Sequence, residues 1–151
     1  MSNLYYFAYG SNLSPNQIRE RLGTPDLQPL FVAYLSGHRL AFPLESMKRW
    51  GGGVASFEKA EGKEVWGVVF ELTEQQMEKM DEWERDYERV SISVFKKNGE
   101  KVEAQTYKAK KTGKVLPSSR YMKTIIGGAM ECGLPKEYIE KLKKIRTNGV
   151  E

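Results

Sequence analysis

A short polar loop, Gly10-Ser11-Asn12, follows an apolar and aromatic run from Leu4 to Ala8. A run of this length and composition predicts a strand, and the glycine allows a sharp turn after it. Ser14 is followed by Pro15 and, three positions on, by Gln17, which is the spacing of a helix capping box. A helix that starts there directs unpaired N–H groups and its positive dipole end toward the loop. The loop could therefore bind a carboxylate or a developing oxyanion, although the same residue types also build ordinary turns.

Glu84 is the second residue whose position suggests chemistry. It lies seven positions after Met77 and four after Met80, so a continuous helix would place it on the apolar face. A carboxylate there loses hydration, which raises its pKa and makes it a candidate general base. The alternative is that the helix frays before Glu84 and leaves it exposed, paired with Arg85 or Arg89.

The chain contains one histidine and one cysteine. A single cysteine excludes an intramolecular disulfide, and Cys132 lies in a helical apolar pattern typical of a small core residue. His38 falls at a predicted turn, where it could act as an acid or a base or could simply be a surface residue. We expect no metal, since one histidine rules out a histidine-rich metal site.

The elements that must position these residues are a sheet and four helices. The predicted strands after the first are residues 30–34, 39–44, 53–57, 64–70, 87–95 and 101–109, and Asn98-Gly99 predicts a hairpin between the last two. The predicted helices begin near Ser14, Thr73, Pro117 and Pro135. We expect an α+β fold, a mixed barrel-like sheet of about six strands with flanking helices, in a single domain of residues 1–151.

Several glycines predict close packing. Gly67 interrupts an apolar strand pattern, which indicates a bulge or a close backbone approach. Gly127 and Gly128 lower the helix propensity of the third helix, so we expect close packing against another element. Residues 50–53, a tryptophan and three glycines, predict a mobile or tightly turned loop that could act as a lid.

The net charge is +4 and the isoelectric point is about 9.1. Basic and acidic residues are mixed along most of the chain, apart from four lysines within residues 108–114. We expect these lysines to lie on a solvated loop and expect no nucleic-acid partner, although a basic cluster could serve one. No apolar run approaches the roughly 20 residues that span a bilayer, and no leader pattern is present. We therefore expect a soluble cytoplasmic protein with no membrane partner.

Three sequence blocks resemble the gamma-glutamylcyclotransferase family. The first is Tyr6-Phe7-Ala8-Tyr9-Gly10-Ser11-Asn12-Leu13. The second joins Val65-Trp66-Gly67-Val68-Val69 to Met80-Asp81-Glu82-Trp83-Glu84. The third comprises Pro117-Ser118-Ser119-Arg120-Tyr121, Gly128-Ala129 and Gly133-Leu134-Pro135-Lys136-Glu137-Tyr138, and it resembles the branch that acts on gamma-glutamyl amino acids.

The resemblance implies a function and a set of site residues. The substrate would be a gamma-glutamyl amino acid or amine, which cyclises to 5-oxoproline and releases the free amino acid or amine. Glu84 matches the family's catalytic glutamate, and Tyr121 matches a tyrosine that lines the pocket. The substrate cradle would comprise Tyr6, Ala8, Tyr9, Gly10, Ser11 and Asn12. The family also implies catalysis without a cofactor and a possible homodimer.

One departure from the family pattern leaves the substrate open. Many members have glycine directly after the catalytic glutamate, whereas this chain continues with Arg85-Asp86-Tyr87. The room for the leaving group could differ as a result, and a shortened pocket would favour small leaving groups. The alternatives are a gamma-glutamylamine cyclotransferase, a glutathione-specific one, or a carboxylate-binding protein without turnover on the same scaffold.

Overall fold

The structure is a computed structural model that describes residues 3–151, and its centre is a closed barrel. Five strands form the barrel within this range: β1 (Leu4–Ala8), β2 (Phe31–Ser46), β3 (Gly52–Leu72), β4 (Tyr87–Lys96) and β5 (Lys101–Ala109). They are arranged in the order β1-β3-β2-β4-β5, and a parallel contact between β1 and β5 closes the barrel. The other neighbours are antiparallel. The predicted mixed barrel-like sheet is therefore confirmed.

Among the described residues, four helices flank the barrel: α1 (Pro15–Leu22), α2 (Glu74–Trp83), α3 (Ser119–Glu131) and α4 (Lys136–Lys143). A short 3-10 turn, Ser11–Leu13, connects β1 to α1. The apolar faces of the helices join the same hydrophobic core as the strands, through residues that include Ile18, Met77, Met80, Ile125 and Leu142. The predicted capping box of Thr73 and Gln76 is formed at the start of α2.

The predicted number of about six strands is wrong, because two pairs of predicted strands are continuous. β2 contains both 30–34 and 39–44 apart from residue 30, and β3 contains both 53–57 and 64–70. The pairing register shifts between Ser36 and His38, whose partners are Glu64 and Lys59. The extra residues of β3 between these two pairs form a bulge, so neither strand ends there. His38 consequently lies inside β2 and not at a turn.

The backbones of β1 and β3 approach each other closely at Gly67. A Cβ atom on Gly67 would lie 2.1 Å from the carbonyl oxygen of Ala8, so any side chain there would collide with the backbone. The predicted close approach is confirmed. On the other side of β1, the Thr106 hydroxyl donates a hydrogen bond of 2.7 Å to the Phe7 carbonyl, which supports the parallel contact with β5.

Helix α3 packs directly on the 3-10 turn through Gly128. A Cβ atom on Gly128 would lie 2.4 Å from the carbonyl carbon and oxygen of Leu13. Gly127 is exposed, and a Cβ atom there would meet nothing within 4 Å. The prediction of close packing is therefore confirmed for Gly128 and wrong for Gly127.

The loop between β2 and β3 is attached to the C-terminal part of the chain. The N–H groups of Trp50 and Gly51 donate to the Ser46 carbonyl at 2.9 and 2.8 Å, which makes a tight turn. The Asn148 side chain donates to the Gly51 carbonyl at 2.8 Å. The loop is therefore held at its tip. Among the described residues, no helix is both long and apolar enough to cross a bilayer.

The two neighbouring glycines of α3 allow a matched test of this packing. Gly128→Ala is expected to lower the free energy of unfolding by about 1–3 kcal/mol, because the added methyl group overpacks the contact with Leu13. Gly127→Ala is expected to raise it by up to about 1 kcal/mol through helix propensity. Urea unfolding midpoints measure both changes. Equal effects of the two substitutions would show that α3 does not rest on the turn at Gly128.

Candidate active site

A cavity of about 140 Å³ lies where the end of β1, the 3-10 turn, the loop between β2 and β3, and the end of α2 meet. Seven of the eight predicted site residues line it: Tyr6, Tyr9, Gly10, Ser11, Asn12, Glu84 and Tyr121. Ala8 is the exception. It is fully buried in the barrel, and its carbonyl faces Gly67 instead of the cavity.

Gln17 fixes the 3-10 turn in a way the sequence did not predict. The backbone N–H of Gln17 donates to the Ser14 hydroxyl at 3.4 Å, as expected for the helix cap. The Gln17 side chain, however, donates to the Ser11 hydroxyl at 2.7 Å and to the Asn12 side-chain oxygen at 3.0 Å. Only half of the predicted capping box is therefore formed. The Gln17 side chain bonds to the 3-10 turn and does not accept a hydrogen bond from the backbone N–H of Ser14.

The turn presents backbone donors to the cavity. Its first backbone hydrogen bond runs from the Leu13 N–H to the Gly10 carbonyl at 3.0 Å. The N–H groups of Ser11 and Asn12 precede that bond, and neither has a partner among the residues that the structure describes. Such N–H groups can bind an anion.

The Asn12 side chain is fully used inside the protein. Its amide nitrogen donates to the Tyr6 hydroxyl at 2.9 Å and contacts the Met80 sulfur at 3.4 Å. Its amide oxygen accepts from Gln17 and, at 3.2 Å, from Arg21. Because an asparagine amide offers two donors and one acceptor oxygen, little capacity remains for a ligand. The side chain of Asn12 therefore positions its neighbours, and its backbone N–H is the group left for a substrate.

Glu84 points toward the cavity, although α2 ends one residue before it. Its backbone caps the helix, with its N–H donating to the carbonyls of Met80 and Asp81. Its side chain is 16% exposed and lies 3.0 Å from a guanidinium nitrogen of Arg21. The predicted alternative partner Arg89 instead pairs with Glu74 and Asp81. Helix α2 therefore ends before Glu84, as the alternative prediction had it. The Glu84 carboxylate nevertheless points inward, as its spacing from Met77 and Met80 predicted.

Two opposing influences set the protonation of Glu84. Burial raises the pKa of its carboxyl above the ordinary value, and the positive charges of Arg21 and Arg49 oppose that rise. A carboxylate whose pKa is raised but which keeps a counter-ion can both accept and return a proton.

Arg21 is the main residue that the sequence analysis missed. It is 7% exposed, and one guanidinium nitrogen donates to both Asn12 and Glu84. Its Nε–H is buried without a partner among the described residues. The available signal was helical phase, since Arg21 lies three positions after Ile18 and next to Leu22 on the buried face of α1.

Several tyrosines form one wall of the cavity. The Tyr121 hydroxyl accepts from the N–H of Ala55 at 2.8 Å, and the Tyr87 hydroxyl donates to the carbonyl of the same residue at 2.6 Å. Tyr9 is tied back to the Tyr107 carbonyl at 2.5 Å. Burial raises the pKa of all the cavity tyrosines, Tyr6, Tyr9, Tyr87, Tyr107 and Tyr121, so their phenols are neutral near pH 7.

Two arginines contact the indole ring of Trp83 at the rim. The Arg21 guanidinium lies 5.1 Å and the Arg49 guanidinium 5.0 Å from the centre of that ring. Arg49 also lies 5.8 Å from the centre of the Trp50 ring. None of these contacts was predicted from the sequence, because the two with Trp83 join residues far apart in the chain and Arg49 lies in a loop with no periodic pattern.

The other candidates from the sequence lie away from the cavity lining. His38 is half-buried, with Nδ1 2.8 Å from the Ser36 carbonyl. Cys132 is half-buried, and burial raises the pKa of its thiol to about 11. The four lysines of residues 108–114 are exposed. Over the described range there is no cluster of His, Cys, Asp and Glu suited to a metal ion.

Arg85 and Asp86, the departure from the family pattern, form an unstrained turn. The Tyr87 N–H donates to the Glu84 carbonyl at 3.0 Å. Every positive φ angle in the described range belongs to a glycine, so Arg85 needs no left-handed conformation. Arg85 is exposed, whereas Asp86 lines the cavity. The segment therefore places a carboxylate at the cavity edge without backbone strain.

Comparison with known proteins identifies the family. The model of the AIG2-like family matches residues 64–142. The chain is 37% identical to the mouse protein "Gamma-glutamylcyclotransferase" and 36% identical to the human one, in each case over 95% of this chain and 79% of the relative. A solved structure titled "Gamma-glutamyl cyclotransferase" superposes with a TM-score of 0.91 at 34% identity, covering 97% of this chain and 90% of that one. The chain therefore belongs to the gamma-glutamylcyclotransferase family and is an enzyme of that family.

Proposed function

We propose that the enzyme cyclises a gamma-glutamyl amino acid or amine to 5-oxoproline and releases the free amino acid or amine, with Glu84 as the acid and base. The observation that carries the proposal is the Glu84 carboxylate, largely withdrawn from water at the cavity and 3.0 Å from Arg21. Glu45 and Asp86 also line the cavity, but both are exposed. Glu84 is thus the cavity carboxylate whose burial suits proton transfer near neutrality.

The proposed reaction is an intramolecular acyl transfer. Glu84 accepts a proton from the substrate's α-ammonium group, and the freed amine attacks the substrate's own γ-carbonyl carbon to form the C–N bond of a five-membered ring. The bond to the leaving nitrogen then breaks while Glu84 returns the proton to that nitrogen. The ring nitrogen gives up its second proton to the ionised Glu84, which passes it on, so that the products are a neutral lactam nitrogen and a released ammonium group. Nucleophile and electrophile belong to one molecule, so the enzyme mainly holds the folded-back conformer and moves the proton.

The 3-10 turn and Tyr121 are suited to the negative charges of the substrate. The N–H groups of Ser11 and Asn12 would bind the substrate's α-carboxylate or the oxyanion that develops on the γ-carbonyl. The Tyr121 hydroxyl accepts from Ala55, so its own proton can be donated to the substrate. Its raised pKa keeps that proton in place.

The proposal extends to the substrate range and setting. The short turn at Arg85-Asp86 limits the room beside Glu84, which favours a small leaving group over the dipeptide that glutathione would release. Turnover of glutathione in preference to gamma-glutamyl dipeptides would contradict that choice. We also place the activity in the cytoplasm, without a cofactor. A carboxylate-binding protein without turnover is less well supported, because such a site gains little from a buried base beside an arginine.

The proton-transfer role has a direct test. Glu84→Gln keeps the side-chain volume but cannot accept the proton, so kcat for 5-oxoproline release is expected to fall by about 100-fold or more. The matched control is Glu82→Gln, which removes the same charge from an exposed position of α2 and should leave kcat unchanged. Binding of 5-oxoproline by Glu84→Gln, measured by calorimetry, checks that the cavity is intact. Full activity of Glu84→Gln would contradict the role.

The pH dependence of turnover tests the charge balance around Glu84. The ionised carboxylate is the active base, and Arg21 lowers its pKa. Arg21→Gln removes that opposing charge, so the pKa of Glu84 rises and the acid limb of kcat/KM moves to higher pH. Arg21→Lys retains the charge and is expected to show a smaller shift. An acid limb at the same pH in all three proteins would show that Arg21 does not tune Glu84.

A further inference from the structure

We infer that Arg49 binds the carboxylate of the departing amino acid and thereby makes gamma-glutamyl amino acids better substrates than gamma-glutamyl amines. This inference rests on the proposed function, because it concerns which leaving group the same cavity accepts. Its basis is an arginine at the cavity rim that is held in place but has no anionic partner within residues 3–151.

The Arg49 side chain is positioned by aromatic rings. Its guanidinium lies 5.0 Å from the centre of the Trp83 ring and 5.8 Å from that of Trp50, within the range of cation–π contacts. Its side chain forms no hydrogen bond or ion pair with the residues that the structure describes, and it lines the cavity. Stacking restrains the planar group while leaving its N–H edge available, and that edge matches a carboxylate in two-point geometry.

The loop that carries Arg49 is also fixed. The Arg120 side chain donates to the Arg49 carbonyl at 2.5 Å. The next two residues, Trp50 and Gly51, donate to the Ser46 carbonyl, and Asn148 holds Gly51 from the other side. The cost of ordering this arginine on substrate binding is therefore largely met before the substrate arrives.

Arg49 is the cavity cation that remains for a second carboxylate. Arg21 is committed to Glu84 and Asn12. A gamma-glutamyl amino acid carries two carboxylates, and the turn N–H groups already suit the one on the glutamyl part. The leaving nitrogen must lie at Glu84 to receive its proton, and its carboxylate is one carbon away. Arg49 and Arg21 both contact the ring of Trp83, so Arg49 lies on the Glu84 side of the cavity.

The two carboxylates at the cavity rim also favour a position beside Arg49 for the leaving-group carboxylate. Glu45 and Asp86 line the cavity and are exposed, and neither forms an ion pair with Arg49. A leaving-group carboxylate near either of them would be repelled, whereas Arg49 offers an attractive position. A neutral amine leaving group would gain nothing from Arg49.

The test compares matched substrates on matched variants. The substrates are gamma-glutamyl-alanine and gamma-glutamyl-ethylamide, which differ only by the leaving-group carboxylate, together with gamma-glutamyl-alaninamide, which replaces that carboxylate by a neutral amide. The variants are Arg49→Met, which keeps an apolar side chain against the rings, and Lys48→Gln, which removes a neighbouring exposed charge outside the cavity lining. 5-Oxoproline release gives kcat and KM separately.

For Arg49→Met, kcat/KM on gamma-glutamyl-alanine is expected to fall roughly 10- to 100-fold, mainly through KM, as for loss of a hydrogen bond between charged groups. The ethylamide and alaninamide are affected only through the pKa of Glu84, which Arg49 also influences, so their losses should be much smaller. Lys48→Gln should match the unmodified enzyme on all three. Equal losses on all substrates, or no loss on any, would overturn this inference alone. If the unmodified enzyme released 5-oxoproline from none of them, the proposed function would fall and the inference with it.

Discussion

The ion pair between Arg21 and Glu84 is the interaction on which the site depends. Both side chains are largely withdrawn from water, at 6% and 16% exposure, so each charge needs the other. Removing one partner of such a pair typically costs about 3–5 kcal/mol, because the remaining charge is left buried. The pair also continues through Asn12 to the hydroxyl of Tyr6, which links α1, α2, the 3-10 turn and β1 in one polar network. The Glu84 carboxylate, which is proposed to transfer the proton, is therefore also part of the polar network that holds these elements together.

Close backbone packing places that network at the cavity. Gly128 lets α3 rest on the carbonyl of Leu13, and Gly67 lets β3 approach the carbonyl of Ala8, directly before the loop that lines the cavity. The loop between β2 and β3 is held by Asn148 at its tip. The protein groups that are predicted to bind the substrate therefore lie on short segments against which other elements pack. Such packing holds them in the fixed geometry that proton transfer requires. A side chain at Gly67 or Gly128 would therefore displace the backbone next to the cavity, although it would remove none of the groups that line the cavity.

Local sequence signals predicted the elements better than their connections. Caps, apolar periodicity and the hairpin signal predicted four helices and the β4–β5 pair. The strand number was overestimated because polar and glycine residues near His38 suggested a turn, whereas tertiary pairing carries β2 through a bulge. The inward direction of the Glu84 side chain was one of two alternatives that helical phase left open, and it is observed even though α2 ends at Trp83. The box at Gln17 is incomplete because the Ser14 N–H donates to the Ser11 carbonyl instead, while the Gln17 amide nitrogen donates to Ser11 and Asn12.

The residues missed by sequence are those that act through distant contacts. Arg21 meets Glu84 across 63 positions of the chain, and Arg49 meets Trp83 only after the barrel has formed. Ala8 was included because the family resemblance covers the stretch from Tyr6 to Asn12, but this small residue is fully buried and does not line the cavity. A buried arginine on an amphipathic helix face was the one signal in the sequence that could have pointed to the partner of Glu84.

The central claim is that Glu84 is a buried carboxylate poised for proton transfer, and its own titration tests this most directly. Carboxyl carbon NMR on protein labelled at glutamate side chains, with the Glu84 resonance assigned by its loss in Glu84→Gln, gives the pKa of that group. The account predicts a midpoint above the ordinary value of 4.5, with the carboxylate ionised at the pH of maximal turnover. A midpoint at or below 4.5, or a carboxyl still protonated where the enzyme is most active, would contradict it.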